Sequence, residues 1–128
     1  MKIRLLTSGF AIWAAATLYL RLDGQRLLHP RPWPATLALF ALSFAAMALL
    51  ARRLCRKARL PSDQWPAGGI SLALPTLLFD PFSSAFFSAI FPNIAAEMAG
   101  VFGGWMLVCC AGALLGVLQL RQIGRAHV

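Results

Sequence analysis

Residues 35–51 form a run of 17 with no charged side chain and only Thr36 and Ser43 polar. Apolar runs of this kind recur along the chain and constrain its fold more than any other feature. Hydropathy divides the sequence into four such stretches, at about residues 5–22, 35–51, 66–90 and 94–120, with punctuated breaks between them. A membrane-crossing helix needs about 20 predominantly apolar residues. The expectation is therefore an all-α polytopic membrane protein, a single domain over residues 1–122 with four transmembrane helices. Composition excludes the main alternatives. The chain is 59% hydrophobic and 12% charged, whereas a soluble domain is nearer 45–50% apolar and about a quarter charged. A nucleic-acid-binding domain could carry the +8 charge, but not beside so little polar surface.

The two ends of the chain differ from the stretches between them. The last six residues, Ile123-Gly124-Arg125-Ala126-His127-Val128, look like a translated sequencing adapter. They are set aside as non-native, and a native terminus beyond Gln122 is left open. At the other end, Lys2 and Arg4 before an apolar run also fit a signal peptide, with Ala14-Ala15-Ala16 as a cleavage site. The run continues through Thr17-Leu18-Tyr19-Leu20 with no polar segment after it, which favours an uncleaved first helix.

Charge sets the orientation. The first break, Asp23 to Pro34, holds Gly24, Pro30, Pro32 and Pro34, and Trp33 suits a membrane–water interface. The second stretch runs into Arg52, Arg53, Arg56, Lys57 and Arg59, the densest charge cluster in the chain. Basic residues concentrate in cytoplasmic loops. With the N-terminus inside, eight Lys/Arg fall on the cytoplasmic side and three (Arg21, Arg26, Arg31) on the other. Both termini are expected in the cytoplasm. Contact of the cluster with anionic lipid headgroups follows, at about 1 kcal/mol per basic residue near the surface.

The third stretch is the unusual one. Ser62 is its expected N-cap and Trp65 a second interfacial anchor. It is interrupted by Pro75 and by Asp80-Pro81, so a helix broken near these residues is expected. Asp80 is the one acid inside an apolar stretch away from its ends. At 1.5 Å per residue from Pro66 it lies roughly 21 Å into a core of about 30 Å. Burial of a charge there costs at least ~2.5 kcal/mol, so it marks a functional candidate. Thr76 and Ser84 sit four residues to either side, and an unbroken helix would place all three on one face as an ion, proton or substrate site. The competing reading is Asp80 as N-cap and Pro81 as N1 of a short interfacial helix over residues 82–91. Residue types alone favour the cap.

Phe91-Pro92-Asn93 marks a sharp turn, with Asn93 as N-cap of the last helix and Glu97 in its first turn. That helix carries Gly100, Gly104, Gly112 and Gly116 in four-residue steps, a face that lets another helix approach closely. A helix of the same chain is the favoured partner, and a homo-oligomer or another membrane protein is the alternative. Trp105 lies well inside this span and its indole N–H needs an acceptor.

Chemistry beyond this is sparse. Adjacent Cys109 and Cys110 diverge by about 100° on a helix and make a poor disulfide or metal clamp. Cys55 is solitary, and His29 is the one histidine outside the tail. There is no metal-ligand spacing, phosphate loop, nucleophile elbow or carboxylate pair. Neither metal nor cofactor is expected, nor an enzyme.

Leu74-Pro75-Thr76-Leu77-Leu78-Phe79-Asp80, Phe91-Pro92-Asn93 and Phe102-Gly103-Gly104-Trp105, with Ser8-Gly9-Phe10 through Trp13, resemble the small bacterial membrane proteins of domain of unknown function 5367. The resemblance implies a four-helix bacterial inner-membrane protein and brings no activity. Small drug exporters are similar in length but carry their acid in the first helix, which has none here. The functional expectation is an accessory or structural membrane protein acting through helix packing. The alternative is a small proton- or cation-coupled transporter or channel using Asp80.

Overall fold

The computed structural model of the chain describes residues 3–118. Lys2, the end of the fourth span at residues 119–120 and the tail at 123–128 lie outside them. The described residues are all helical, with five α-helices and no strand: α1 (Ile3–Asp23), α2 (Trp33–Lys57), α3 (Trp65–Ala85), α4 (Phe87–Ile90) and α5 (Ala99–Gly116). Helices α1, α2 and α5, with the single 3-10 turns that continue α1 and precede α5, are long and apolar enough to cross a membrane. Helix α3 has the length but is not among these three.

The helix ends follow local chemistry. Pro34 lies in the first turn of α2, where a missing N–H costs nothing. The end of α2 is a Schellman turn. The Leu60 N–H donates to the Cys55 carbonyl at 3.2 Å and the Arg59 N–H to that of Arg56 at 3.0 Å. Arg59 takes the left-handed position (φ 56°) that glycine usually fills. This reverses the chain over seven residues into α3.

Three expectations about helix ends are corrected. Helix α3 is not broken near Pro75 or Asp80-Pro81; it runs unbroken through both prolines and ends at Phe86 (φ −113°, ψ 40°). Each proline removes one backbone bond, and neighbouring helices hold the segment across the gap. Only a single turn, α4, follows. Ser62 lies in a 3-10 turn (Ser62–Gln64) ahead of α3 and does not start it. The last helix begins at Ala99, not at residue 94, after a 3-10 turn (Ala96–Met98) that includes the exposed Glu97.

Helix α5 packs on both α2 and α3, and α1 packs on α3. Two core clusters mark the two ends of the bundle. Leu5, Cys55, Trp65, Leu72 and Val117 form one, beside the basic loop. Leu20, Leu28, Phe87, Phe91 and Phe102 anchor the other, with the three Phe rings 5.2–5.5 Å apart. Trp65 is therefore a core residue and not an interfacial anchor: it is 8% exposed, and its indole N–H donates to the Leu60 carbonyl at 3.0 Å. Trp33, by contrast, is exposed at the start of α2.

The outer surface is apolar. Only 6% of the most apolar 18-residue stretch of α2 is buried within the molecule, and Leu22, Leu42, Leu49, Phe82 and Leu107 all stand exposed. Large apolar side chains exposed along helices long enough to cross a bilayer suggest a membrane protein.

Candidate functional site

Asp80 lies on α3 between the two core clusters, 15 residues or about 22 Å along the helix from Trp65. The unbroken helix changes what its side chain can do. With the turn after it already helical, its carboxylate has no free N-terminus to cap. It turns inward and is 6% exposed. Its Oδ1 accepts a hydrogen bond from the Trp13 indole on α1 at 2.9 Å. Its Oδ2 is buried with no hydrogen-bond partner among the described residues. The expected capping role is thus replaced by a contact between helices.

The Trp13 ring is fixed by aromatic neighbours. Its centroid lies 4.8 Å from that of Phe79 and 5.7 Å from that of Phe10, and Phe10 meets Phe79 edge-on at 5.8 Å. Offset and edge-on arrangements of this kind hold rings in place beyond their area burial. The indole donor is thereby aimed at Asp80.

Thr76 and Ser84 join Asp80 in lining one cavity of about 160 Å³ between α3 and α5. The three share a helix face, as their spacing requires of an unbroken helix. Gly103 of α5 stands opposite: a side chain built there would come within 3.5 Å of the Ser84 hydroxyl. Leu77, Pro81 and Leu107 also line the cavity and are exposed on the outer surface, so its mouth opens sideways toward the lipid-facing side. A second cavity of about 170 Å³ shares Thr76, Met106 and Cys110 with the first and is lined by Trp13, Phe102 and Trp105.

Electrostatically the acid stands alone. No Lys, Arg or His pairs with it among the described residues, where the single salt bridge is Arg26–Asp23 at 3.0 Å on the surface. The described residues hold no cluster of metal-ligating side chains. An ionised carboxylate with one bare oxygen in so apolar a setting is costly. Taking up a proton or a cation relieves that cost.

The glycine face of α5 finds its partner inside the chain, in α2. A Cβ at Gly112 would stand 2.5 Å from the Phe44 carbonyl oxygen, and one at Gly116 would stand 2.5 Å from Ala48 backbone atoms. Gly104 has only ordinary contact with the Phe40 ring, 3.4 Å away. Gly100 meets nothing within 4 Å, so the packing face is shorter than its spacing suggests. Beside this contact the Trp105 indole donates to Ser43 Oγ at 2.7 Å, which satisfies it. An equally close approach has no repeat to announce it: Gly9 of α1 lies against the Leu72 carbonyl of α3.

Elsewhere, Arg53, Arg56, Lys57 and Arg59 are exposed at the end of α2, while Arg52 is half-buried and reaches toward the Gly116 carbonyl at 3.5 Å. Asn93 does not cap α5. It ties the turn after α4 to α1, donating to the Leu20 carbonyl at 2.9 Å and to Gln25 Oε1 at 2.6 Å. The three cysteines are free thiols, with Cys55 and Cys110 buried.

Comparison with known proteins finds one family. The model described as Family of unknown function (DUF5367) matches residues 31–122, a segment that includes Thr76, Asp80 and Ser84 and leaves Trp13 outside. No curated protein and no solved structure matches the chain.

Proposed function

We propose that this chain, which belongs to the family of unknown function DUF5367, takes up a proton or a small cation at Asp80 and carries it across a bilayer. It does so as a bacterial inner-membrane protein in which α3 crosses the bilayer alongside α1, α2 and α5, with both termini in the cytoplasm. The observation that carries the reading is the Asp80 carboxylate, 6% exposed, with a bare oxygen and a cavity shared with Thr76 and Ser84. Intramembrane acids that face a bundle interior or cavity mark ion and proton pathways. The orientation rests on the basic loop after α2, where lipid headgroups are the natural neighbours of Arg53, Arg56, Lys57 and Arg59.

The competing reading is an accessory protein that works by packing against a partner. It has less in its favour, because Gly112 and Gly116 are already occupied by α2. What remains for a partner is Gly100 and the general apolar surface. An enzyme has no support in the sequence.

Purified protein reconstituted in liposomes, with a pH-sensitive dye inside, tests the transport reading. An imposed gradient should dissipate faster with the wild type than in empty liposomes, and Asp80→Asn should return it to the empty-liposome rate. Equal rates for wild type and empty liposomes, with sodium, potassium or no added cation, would remove the proposal.

A further inference from the structure

The geometry points to a specific class of substrate for this site: a monovalent organic cation with one aromatic or similarly sized apolar group. The inference rests on the transport reading above and narrows it. Two adjoining cavities divide such a molecule between them. The Asp80 cavity is lined by Asp80 and by the hydroxyl residues Thr76 and Ser84, and Asp80 Oδ2 is buried with no hydrogen-bond partner among the described residues. The adjoining cavity is lined almost wholly by apolar and aromatic groups, among them Trp13, Phe102 and Trp105. Thr76, Met106 and Cys110 border both, so the two cavities are one side chain apart.

Size sets the occupant. An apolar cavity of roughly 150 Å³ takes up a benzene ring, and the second cavity is about 170 Å³. One ring fits it. The first, at about 160 Å³, holds a compact ammonium group. Trp13 borders the ring cavity and its indole N–H holds Asp80 Oδ1, so one side chain joins the aromatic wall of the second cavity to the carboxylate of the first. Aromatic faces attract ammonium groups, most strongly where water is excluded.

The position of the mouth decides between an organic and an inorganic cation. Leu77, Pro81 and Leu107 are exposed where the cavity opens, on the side of the molecule that faces lipid. A hydrated sodium or potassium ion does not approach through hydrocarbon. An amphipathic ammonium partitions into the bilayer and reaches the opening from within it. Its single charge is met by the single buried acid.

Binding of three probes to the full chain in lipid nanodiscs tests this, with tryptophan fluorescence as the signal and protein-free discs as blank. Benzyltrimethylammonium carries charge and ring, tetramethylammonium charge alone, and neopentylbenzene the ring with a neutral carbon in place of nitrogen. Benzyltrimethylammonium should bind saturably, about tenfold or more tighter than either of the others. Asp80→Asn should weaken it by a similar factor, and Asp80→Glu should restore part of that. The comparison among probes uses the wild type alone and stands even if a variant misfolds. Equal binding of benzyltrimethylammonium and neopentylbenzene would mean an apolar cavity that ignores charge, and equal binding of the two ammonium ions would mean a carboxylate that ignores the ring. Either result overturns the inference, as does a lack of saturable binding. If Asp80-dependent proton flux persists in any of those cases, the transport reading survives without it; if the flux is absent too, both fall.

Discussion

The α2–α5 contact makes a prediction with two signs. Adding one methyl group at Gly112 places a Cβ 2.5 Å from the Phe44 carbonyl oxygen, against backbone that cannot rotate away. The helices must separate by roughly 0.5–1 Å, a gap that forfeits a quarter to a half of the dispersion energy of the contacting atoms. Overpacking of this kind costs about 1–3 kcal/mol. Alanine is the better helix former by about 1 kcal/mol, which offsets part of it. Gly112→Ala should therefore destabilise the protein by up to about 2 kcal/mol. At Gly100 the same methyl group meets nothing within 4 Å, so only the helix-forming gain remains and Gly100→Ala should be neutral to stabilising by up to about 1 kcal/mol. The two variants should differ by about 2 kcal/mol, or roughly thirtyfold in the unfolding equilibrium. Titration with sodium dodecyl sulfate in mixed micelles, followed by loss of helical signal, reads the difference. Equal midpoints for the two variants, or a loss at Gly100 as large as at Gly112, would refute the assigned contact.

Three further outcomes follow from other contacts. Ser43→Ala leaves the Trp105 N–H without its acceptor and should cost about 1–3 kcal/mol in the same titration, whereas Ser43→Ala with Trp105→Phe removes both polar groups and should recover most of it. Asn93→Ala frees the Leu20 carbonyl and should cost about 1–2 kcal/mol, read as faster hydrogen exchange in the last turn of α1 with the first turns unchanged. Cys55 is 1% exposed and should resist a thiol reagent in the folded protein, while Lys57→Cys, at an exposed position, should be modified only from the cytoplasmic side; its modification in intact cells contradicts the orientation.

The bundle was legible in the sequence because membrane crossing leaves long apolar runs, and the positions of α1 and α2 follow those runs closely. The boundaries around Asp80 were not. Asp-Pro and Phe-Pro-Asn are strong local signals for helix starts, and both were overridden by contacts across the chain. Asp80 is recruited by Trp13, 67 residues away, and Asn93 by Leu20, 73 residues away. Trp13 is the site residue that sequence reasoning missed; an indole inside an apolar helix signals that it needs an acceptor, but not which one. Ser43 and Trp105 show the same gap: each is a scarce polar group in its own span, and their pairing appears only once α2 meets α5. The shared face of Thr76, Asp80 and Ser84 was readable from their spacing on the condition that α3 is unbroken. That condition holds although α3 contains two internal prolines, Pro75 buried and Pro81 exposed, and no local rule supplies it.

Asp80 is an interior carboxyl group, held on one side by Trp13 and, among the described residues, without a hydrogen-bond partner on the other. Infrared difference spectroscopy of the reconstituted protein between acidic and alkaline buffer tests this placement. The chain has four acidic residues, Asp23, Asp63, Asp80 and Glu97, and Asp80 is the buried one. One carboxyl band should stand at the frequency of an apolar environment, vanish in Asp80→Asn and shift upward in Trp13→Phe as its hydrogen bond is lost. A carboxyl spectrum that is unchanged by Trp13→Phe and shows only solvent-exposed acids would rule out an interior Asp80 held by Trp13.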